Sequence, residues 1–129
     1  MNDDIQQEII HLSGVLVIPD SMPECLRILD TSSKPILNRY LIKKGGIVFQ
    51  GVTENVIEYV YLCPIQKVEK NKTLKCRINF ARYIENEKLN DYSKISLKAD
   101  LAWKEFSLIN TRHIRFFQII HVNPCYTFK

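Results

Sequence analysis

Close cysteine pairs are missing from this chain. Its cysteines, Cys25, Cys63, Cys76 and Cys125, show no C-x-x-C spacing, and a structural zinc cluster ordinarily takes two such pairs. Histidine is scarce as well. His11, His113 and His121 form no H-x-H or H-E-x-x-H pattern, and His113 and His121, on one strand, would stand roughly 26 Å apart at strand rise. No metal site and no cofactor are expected. Glycine occurs four times, never as G-x-x-x-x-G-K-[ST] or G-x-S-x-G, which excludes a P-loop and a nucleophile elbow. Ser13-Gly14 lacks the leading glycine of the elbow. Acidic residues such as Asp3, Asp4, Glu85, Glu87 and Asp91 fall in polar segments, where solvation accounts for them. No catalytic residues are expected, and the chain reads as a non-enzyme.

Long runs are absent too. The longest basic run is Lys43-Lys44, and the net charge of +4 is mild. A nucleic-acid surface concentrates basic charge and interleaves it with aromatics. Arg39, Tyr40, Arg112, Arg115 and Phe117 are the residues that would have to assemble, and they serve equally well as core and rim. No nucleic-acid partner is expected. The run Val15–Ile18 is far too short to span a bilayer, and the acidic start Met1-Asn2-Asp3-Asp4 lacks the basic region of a secretory signal. Synthesis in the cytosol is the expectation, and it argues against disulfides.

What is present is β-forming. Hydrophobic residues make up 46 % of the 129 residues, charged residues 25 %, and six Tyr, six Phe and one Trp accompany Ile and Val. One globular domain with an adequate core is implied. Ile9–Ile18 reads as a first strand, stopped by Pro19, with Gly14 marking a bulge or bend. Residues 23–30 read as a short helix with Pro23 in its first turn, and Thr31–Pro35 as a loop. Ile36–Lys43 alternates, and Lys44-Gly45-Gly46 supplies a turn with positive φ. In the stretch Gly45–Cys63, the runs Ile47–Val52 and Val56–Leu62 read as a hairpin turning at Thr53-Glu54-Asn55, so residues 36–62 would form a three-stranded meander. Gln66–Thr73 is a charged connection. Leu74, Cys76, Ile78 and Phe80 point inward from the next strand, with Cys76 as a small buried hydrophobe. Ala81–Ser93 is polar, with a turn at Asn90-Asp91. Ile95, Leu97, Ala99, Leu101 and Trp103 share the inner face of a long strand. Asn110–Arg112 turns into His113–Val122, apolar on both faces and hence central or covered. The expected fold is all-β, an antiparallel sandwich or barrel-like domain of about seven strands with one short helix near residues 23–30. The expected boundaries are an N-terminal arm or strand extension over 1–11, a β-domain over 12–124 and a C-terminal tail over 125–129.

With catalysis unsupported, function falls to surfaces and edges. Ile5, Ile9, Ile10 and Leu12 are candidate anchors of an assembly arm that adds to another sheet. Cys25 and Cys125 are candidate cross-linking thiols. Exposed Tyr and Trp would serve a glycan-binding alternative, for which Trp103 is the obvious platform, but its inward alternation predicts burial.

Gly45–Leu62, a turn, an apolar strand, a glycine, a short link and a strand ending in Tyr59-Val60-Tyr61, resembles the centre of the SPOCS domain of spore-coat and spore-morphogenesis proteins in endospore-forming bacteria. Val17-Ile18-Pro19 with Pro23–Leu29 resembles that family's strand, proline turn and short following segment. Cys76–Phe80 resembles its strand after the charged loop, and Leu97–Trp103 and Ile114–Val122 its last two strands. The likeness spans most of residues 12–123 and carries no catalytic residues with it. Family members often hold several copies or a peptidoglycan-binding module, and this chain holds a single copy. The resemblance implies a structural, self-assembling protein made in the mother-cell cytoplasm and deposited on the spore surface. Its partners would be copies of itself, other coat proteins or both; the alternative is an adaptor that binds peptidoglycan or another polysaccharide.

Overall fold

The structure, a computed structural model, describes residues 7–43, 45–85 and 92–128. Ile5, Lys44 and the turn expected at Asn90-Asp91 lie outside the described residues. The described chain is all-β: β1 (Glu8–Val17), β2 (Arg27–Lys43), β3 (Gly46–Leu62), β4 (Glu69–Glu85), β5 (Tyr92–Asn110) and β6 (His113–Phe128). They form two antiparallel three-stranded sheets, ordered β1-β6-β5 and β2-β3-β4. Six strands thus replace the expected seven or so, because several are much longer than their sequence cues.

The largest departure is in Gly45–Cys63. No hairpin turns at Thr53-Glu54-Asn55; β3 is one 17-residue strand, paired without a break to β4 from Gly46↔Glu85 to Leu62↔Glu69. Thr53 and Asn55 are buried polar residues in its middle. They face Gln118 of β6, which is itself fully buried. Thr53 Oγ1 donates to Gln118 Oε1 at 2.9 Å, Gln118 Nε2 donates to Asn55 Oδ1 at 2.7 Å and to Ser33 Oγ at 3.0 Å, and Asn55 Nδ2 donates to Thr53 Oγ1 at 3.1 Å. Every described buried side-chain nitrogen and oxygen has a partner. A polar pair that local propensity assigns to a turn is kept in a strand because the opposite sheet satisfies it.

This polar layer divides the core. On one side lie Ile10, Phe49, Phe80, Ile84, Ile120 and Val122. On the other lie Ile18, Cys25, Ile57, Tyr59, Leu74 and Ile114. Each cluster draws on both sheets, so the sheets pack face to face over a common interior. The three-stranded meander is β2-β3-β4, spanning Arg27–Glu85 rather than 36–62. Gly45 at φ +84° makes its first turn, as the glycine pair predicts.

The expected helix at 23–30 is absent; β2 begins at Arg27. The segment linking the sheets takes its hydrogen bonds from tertiary partners instead. Arg112 Nη1 donates to the carbonyls of Pro19 and Met22, both at 2.9 Å. Cys25 N–H donates to Thr111 O at 2.8 Å, and Tyr59 O–H donates to Pro23 O at 2.7 Å. A helix this short has no stability of its own to set against those bonds. Thr31–Pro35, expected as a loop, lies in β2. Pro35 is tolerated there because β2 is an edge strand. Glu69–Thr73 likewise belongs to β4, leaving only a short turn in which Cys63 N–H donates to Val68 O at 2.9 Å.

Strand β6 is the central strand of its sheet, as its two apolar faces require. No tail begins at residue 125: β6 runs to Phe128, paired with β5. Pro124 is accommodated because β1 pairs β6 only as far as Val122, so no neighbour asks for its missing N–H. Of residues 1–11, expected as an arm or a strand extension, residues 8–11 are the first part of β1. Gly14 makes no bulge, since β1 pairs without interruption. It leaves room for the Phe116 ring, which a Cβ would meet at 3.0 Å.

Two substitutions test this core. Gln118→Leu leaves Thr53, Asn55 and Ser33 without their shared partner and is expected to destabilise the fold by about 3 kcal/mol; the combined Thr53→Val/Asn55→Leu/Gln118→Leu variant should be more stable than the single one. Urea unfolding checks both, and a Gln118→Leu loss within error of zero would refute the role of the layer. Gly51→Ala places a Cβ at 2.6 Å from the Ile36 carbonyl oxygen and 2.4 Å from the Phe80 ring. A loss of about 2 kcal/mol is expected by the same measurement.

Candidate association face

Strand β5 breaks register with β6 between Leu101 and Trp103. Ala102 is the extra residue of a bulge, and a bulge reverses which face later side chains occupy. Before it Leu97, Ala99 and Leu101 pack on one core cluster; after it Phe106 and Leu108 pack on the other. Lys104 also turns inward, and its ammonium donates to the Thr31 carbonyl of β2. Trp103 is thereby turned outward and is 56 % exposed. Its expected burial is overturned. The signal was in the sequence: the apolar residues change from odd positions (Leu97, Leu101) to even ones (Phe106, Leu108).

The outer face of the β1-β6-β5 sheet is consequently apolar at its centre. Register places His11, Ile119 and Trp103 in one row across the sheet, and Ser13, Phe117 and Glu105 in the next. The His11 and Phe117 rings lie 6.0 Å apart at 55°. Along β1, Ile9, Val15 and Val17 are exposed on the same side. Asp100 and Glu105 flank Trp103 along β5, and Arg115 and His121 flank Phe117 and Ile119 along β6. The other sheet's outer face is charge-laced instead. Lys34, Glu54 and Arg77 share a row, and Arg77–Glu54 and Arg27–Glu69 are ion pairs, each at 2.9 Å. Exposed pairs of this kind are ordinary solvated surface. A smaller apolar patch, Tyr40, Leu41 and Ile42, lies at the β2–β3 turn.

The residues singled out from the sequence scatter across this frame. Ile9 is exposed on the edge strand β1, Ile10 is buried in the core, and Leu12 is half-buried against it. They do not form one arm. Arg115 and Phe117 belong to one sheet and Arg39 and Tyr40 to the other, while Arg112 is committed to the Ile18–Leu26 segment. His113 and His121 share an outer face as expected, and His113 Nδ1 lies 2.8 Å from Asn110 Oδ1. No group of three or more His, Cys, Asp or Glu that could hold a metal occurs among the described residues, and no described helix is long and apolar enough to cross a membrane.

The thiols separate by environment. All four are free. Cys25 is 1 % exposed, and burial pushes its thiol up; it does not reach another molecule from the folded state. Cys76 is half-buried beside the polar layer, and burial raises its thiol against the opposing hydrogen bond with Asn55. Cys63 is lowered, first by the backbone N–H of Gln66 and then by that of Ile65. Cys125 is exposed in β6 and opposite Ser96.

No family model, no curated protein and no solved structure matches the chain.

Alkylation of the folded protein at neutral pH is expected to label Cys63 and Cys125, with Cys25 and Cys76 slower by about tenfold or more until the chain unfolds. Peptide mass spectrometry reads each site. Labelling of Cys25 as fast as Cys125 would contradict its buried placement.

Proposed function

We propose that this chain is a non-enzymatic, self-associating structural protein that works by protein–protein association through the outer face of its β1-β6-β5 sheet. One observation carries the reading: Trp103 stands more than half exposed on a face whose centre is Ile119, Phe117 and His11. Tryptophan, phenylalanine and arginine are the residue types that protein interfaces concentrate, and contiguous exposed apolar area on a soluble domain marks a contact surface. The opposite outer face, with its ion pairs, has the character of a solvated wall. The narrower placing is a building block of the endospore surface, made in the mother-cell cytoplasm and associating with itself and other coat proteins. It rests on the resemblance of Gly45–Leu62 and the flanking strands to the SPOCS domain.

A second reading, binding of peptidoglycan or another polysaccharide, is favoured by one specific feature. An exposed indole flanked on its strand by Asp100 and Glu105 offers a stacking plane beside carboxylate acceptors for sugar hydroxyls.

Trp103 is the single tryptophan of the chain, so its fluorescence reports on this face alone. Acrylamide is expected to quench it strongly in dilute protein and progressively less as protein concentration rises. Protection that needs added peptidoglycan fragments and ignores protein concentration would replace the first reading by the second. Quenching that is equally strong in every case would sink both.

A further inference from the structure

Each sheet has two edges, so four strands expose backbone groups sideways: β1 and β5 on one sheet, β2 and β4 on the other. Native proteins guard such edges with bulges, prolines and charges. Strand β5 breaks register at three points along β6. Strand β2 breaks at two points along β3 and contains Pro35. The Lys104 ammonium on the Thr31 carbonyl also draws these two edges together. Strand β4 is unbroken but carries Lys70, Lys72, Lys75, Arg77 and Arg82. Strand β1 has none of these guards. It pairs with β6 without a register break from Glu8 to Val17. Between Ile9 and Val17 it holds no proline, lysine, arginine, aspartate or glutamate. On its other side no described strand pairs with it.

We propose that β1 is a dimerisation edge, and that two copies of this chain pair β1 to β1 antiparallel about a two-fold axis at Ser13. The register follows from the pleat. In a continuous sheet, opposed residues must point to the same face, so odd-numbered residues of β1 must oppose odd-numbered ones. An axis at Ser13 satisfies this while overlapping all of Ile9–Val17. It sets Ile9 against the partner's Val17 and His11 against the partner's Val15 on the outer face. The exposed side chains of Ile9 and Val17, which is 60 % exposed, then face each other directly, and Val15 meets the His11 ring with the partner's Ile9 on the diagonal.

A second copy is the fitting occupant because a strand uncharged from Ile9 to Val17 and free of register breaks matches another of the same kind. The three other described edges of this protein offer charge, bulges or each other. An isologous pair of this sort closes at the dimer. It also joins the two β1-β6-β5 sheets into one, with both Trp103 side chains on a single widened face. This edge pairing goes beyond the association face proposed above. Face-to-face association would also raise the mass and would also be weakened by lysines at the exposed Val15 and Val17, so a Ser13→Cys cross-link, which needs two β1 edges side by side, tells the two apart.

Light scattering coupled to gel filtration tests it. The mass should rise from 15.1 kDa toward twice that as concentration increases. The Val15→Lys/Val17→Lys variant, altered only at exposed positions, should stay at the monomer mass with an unchanged circular dichroism spectrum. Whether or not that variant folds, Ser13→Cys in a Cys63→Ser/Cys125→Ser background decides. Opposed Cβ atoms on such an axis lie about 5 Å apart, so the variant should form a reducible covalent dimer under mild oxidation. Folded protein that is monomeric at every concentration overturns the proposal. So does a dimer that survives Val15→Lys/Val17→Lys, or the absence of a Ser13→Cys cross-link.

Discussion

The side-chain amide of Gln118 sits where the two sheets meet, and the arrangement of both sheets follows from satisfying it. Its oxygen takes the Thr53 hydroxyl and its nitrogen serves Asn55 and Ser33. A buried amide without these partners would carry a desolvation cost of about 1–3 kcal/mol for each group left unpaired. Sliding one sheet past the other by a residue pair would exchange that satisfied ring for apolar neighbours. Apolar clusters on either side tolerate approximate matching; a hydrogen-bonded ring does not. The layer therefore acts as the register mark between the sheets, and the flanking hydrophobic clusters provide most of the area removed from water.

The same constraint reaches the surface. Lys104 pairs with Gln118 across β5 and β6 and turns inward to the Thr31 carbonyl. It can do so because the bulge at Ala102 changes the phase of β5. The inward lysine and the outward tryptophan are two results of one inserted residue. The bulge gives the β1-β6-β5 sheet an aromatic outer face, while the unbroken β3–β4 pairing lets Glu54 and Arg77 lie opposite one another on the other sheet. The two outer walls of the domain thus differ in chemistry, one apolar at its centre and one laced with charge. The association reading rests on that difference.

Strands whose neighbours in sequence are also their determinants were legible. Leu74–Phe80 alternates because one side of β4 is core and the other is water. His113–Val122 is apolar on both faces because it is central. Gly45 turns the chain because positive φ suits glycine. Where a distant residue decides, local cues pointed elsewhere. Thr53-Glu54-Asn55 has turn composition, yet Gln118, far along the chain, holds it extended. Pro23–Asp30 has the marks of a short helix, but the Arg112 guanidinium and the Tyr59 hydroxyl take up the Pro19, Met22 and Pro23 carbonyls. Pro124 looks like a strand terminator until the early end of β1 removes the demand for its N–H. Of the candidate site, the β1 segment Ile9–Leu12 was legible as an apolar strand. The outward Trp103 was not, because a single alternation phase was carried through a bulge.

By itself the sequence determined the class: β-branched and aromatic residues in period-two patterns, with a glycine pair and prolines between them, commit this chain to antiparallel strands. Those are local preferences of side chain and backbone, and they need no partner to act. The tertiary structure alone decided where the strands end, which polar residues are buried, which way β5 faces after Ala102 and which edge is left unguarded. Each of these depends on groups brought together from opposite sheets, and hydrogen-bond satisfaction across that gap outweighs the few tenths of a kcal/mol by which local propensities differ.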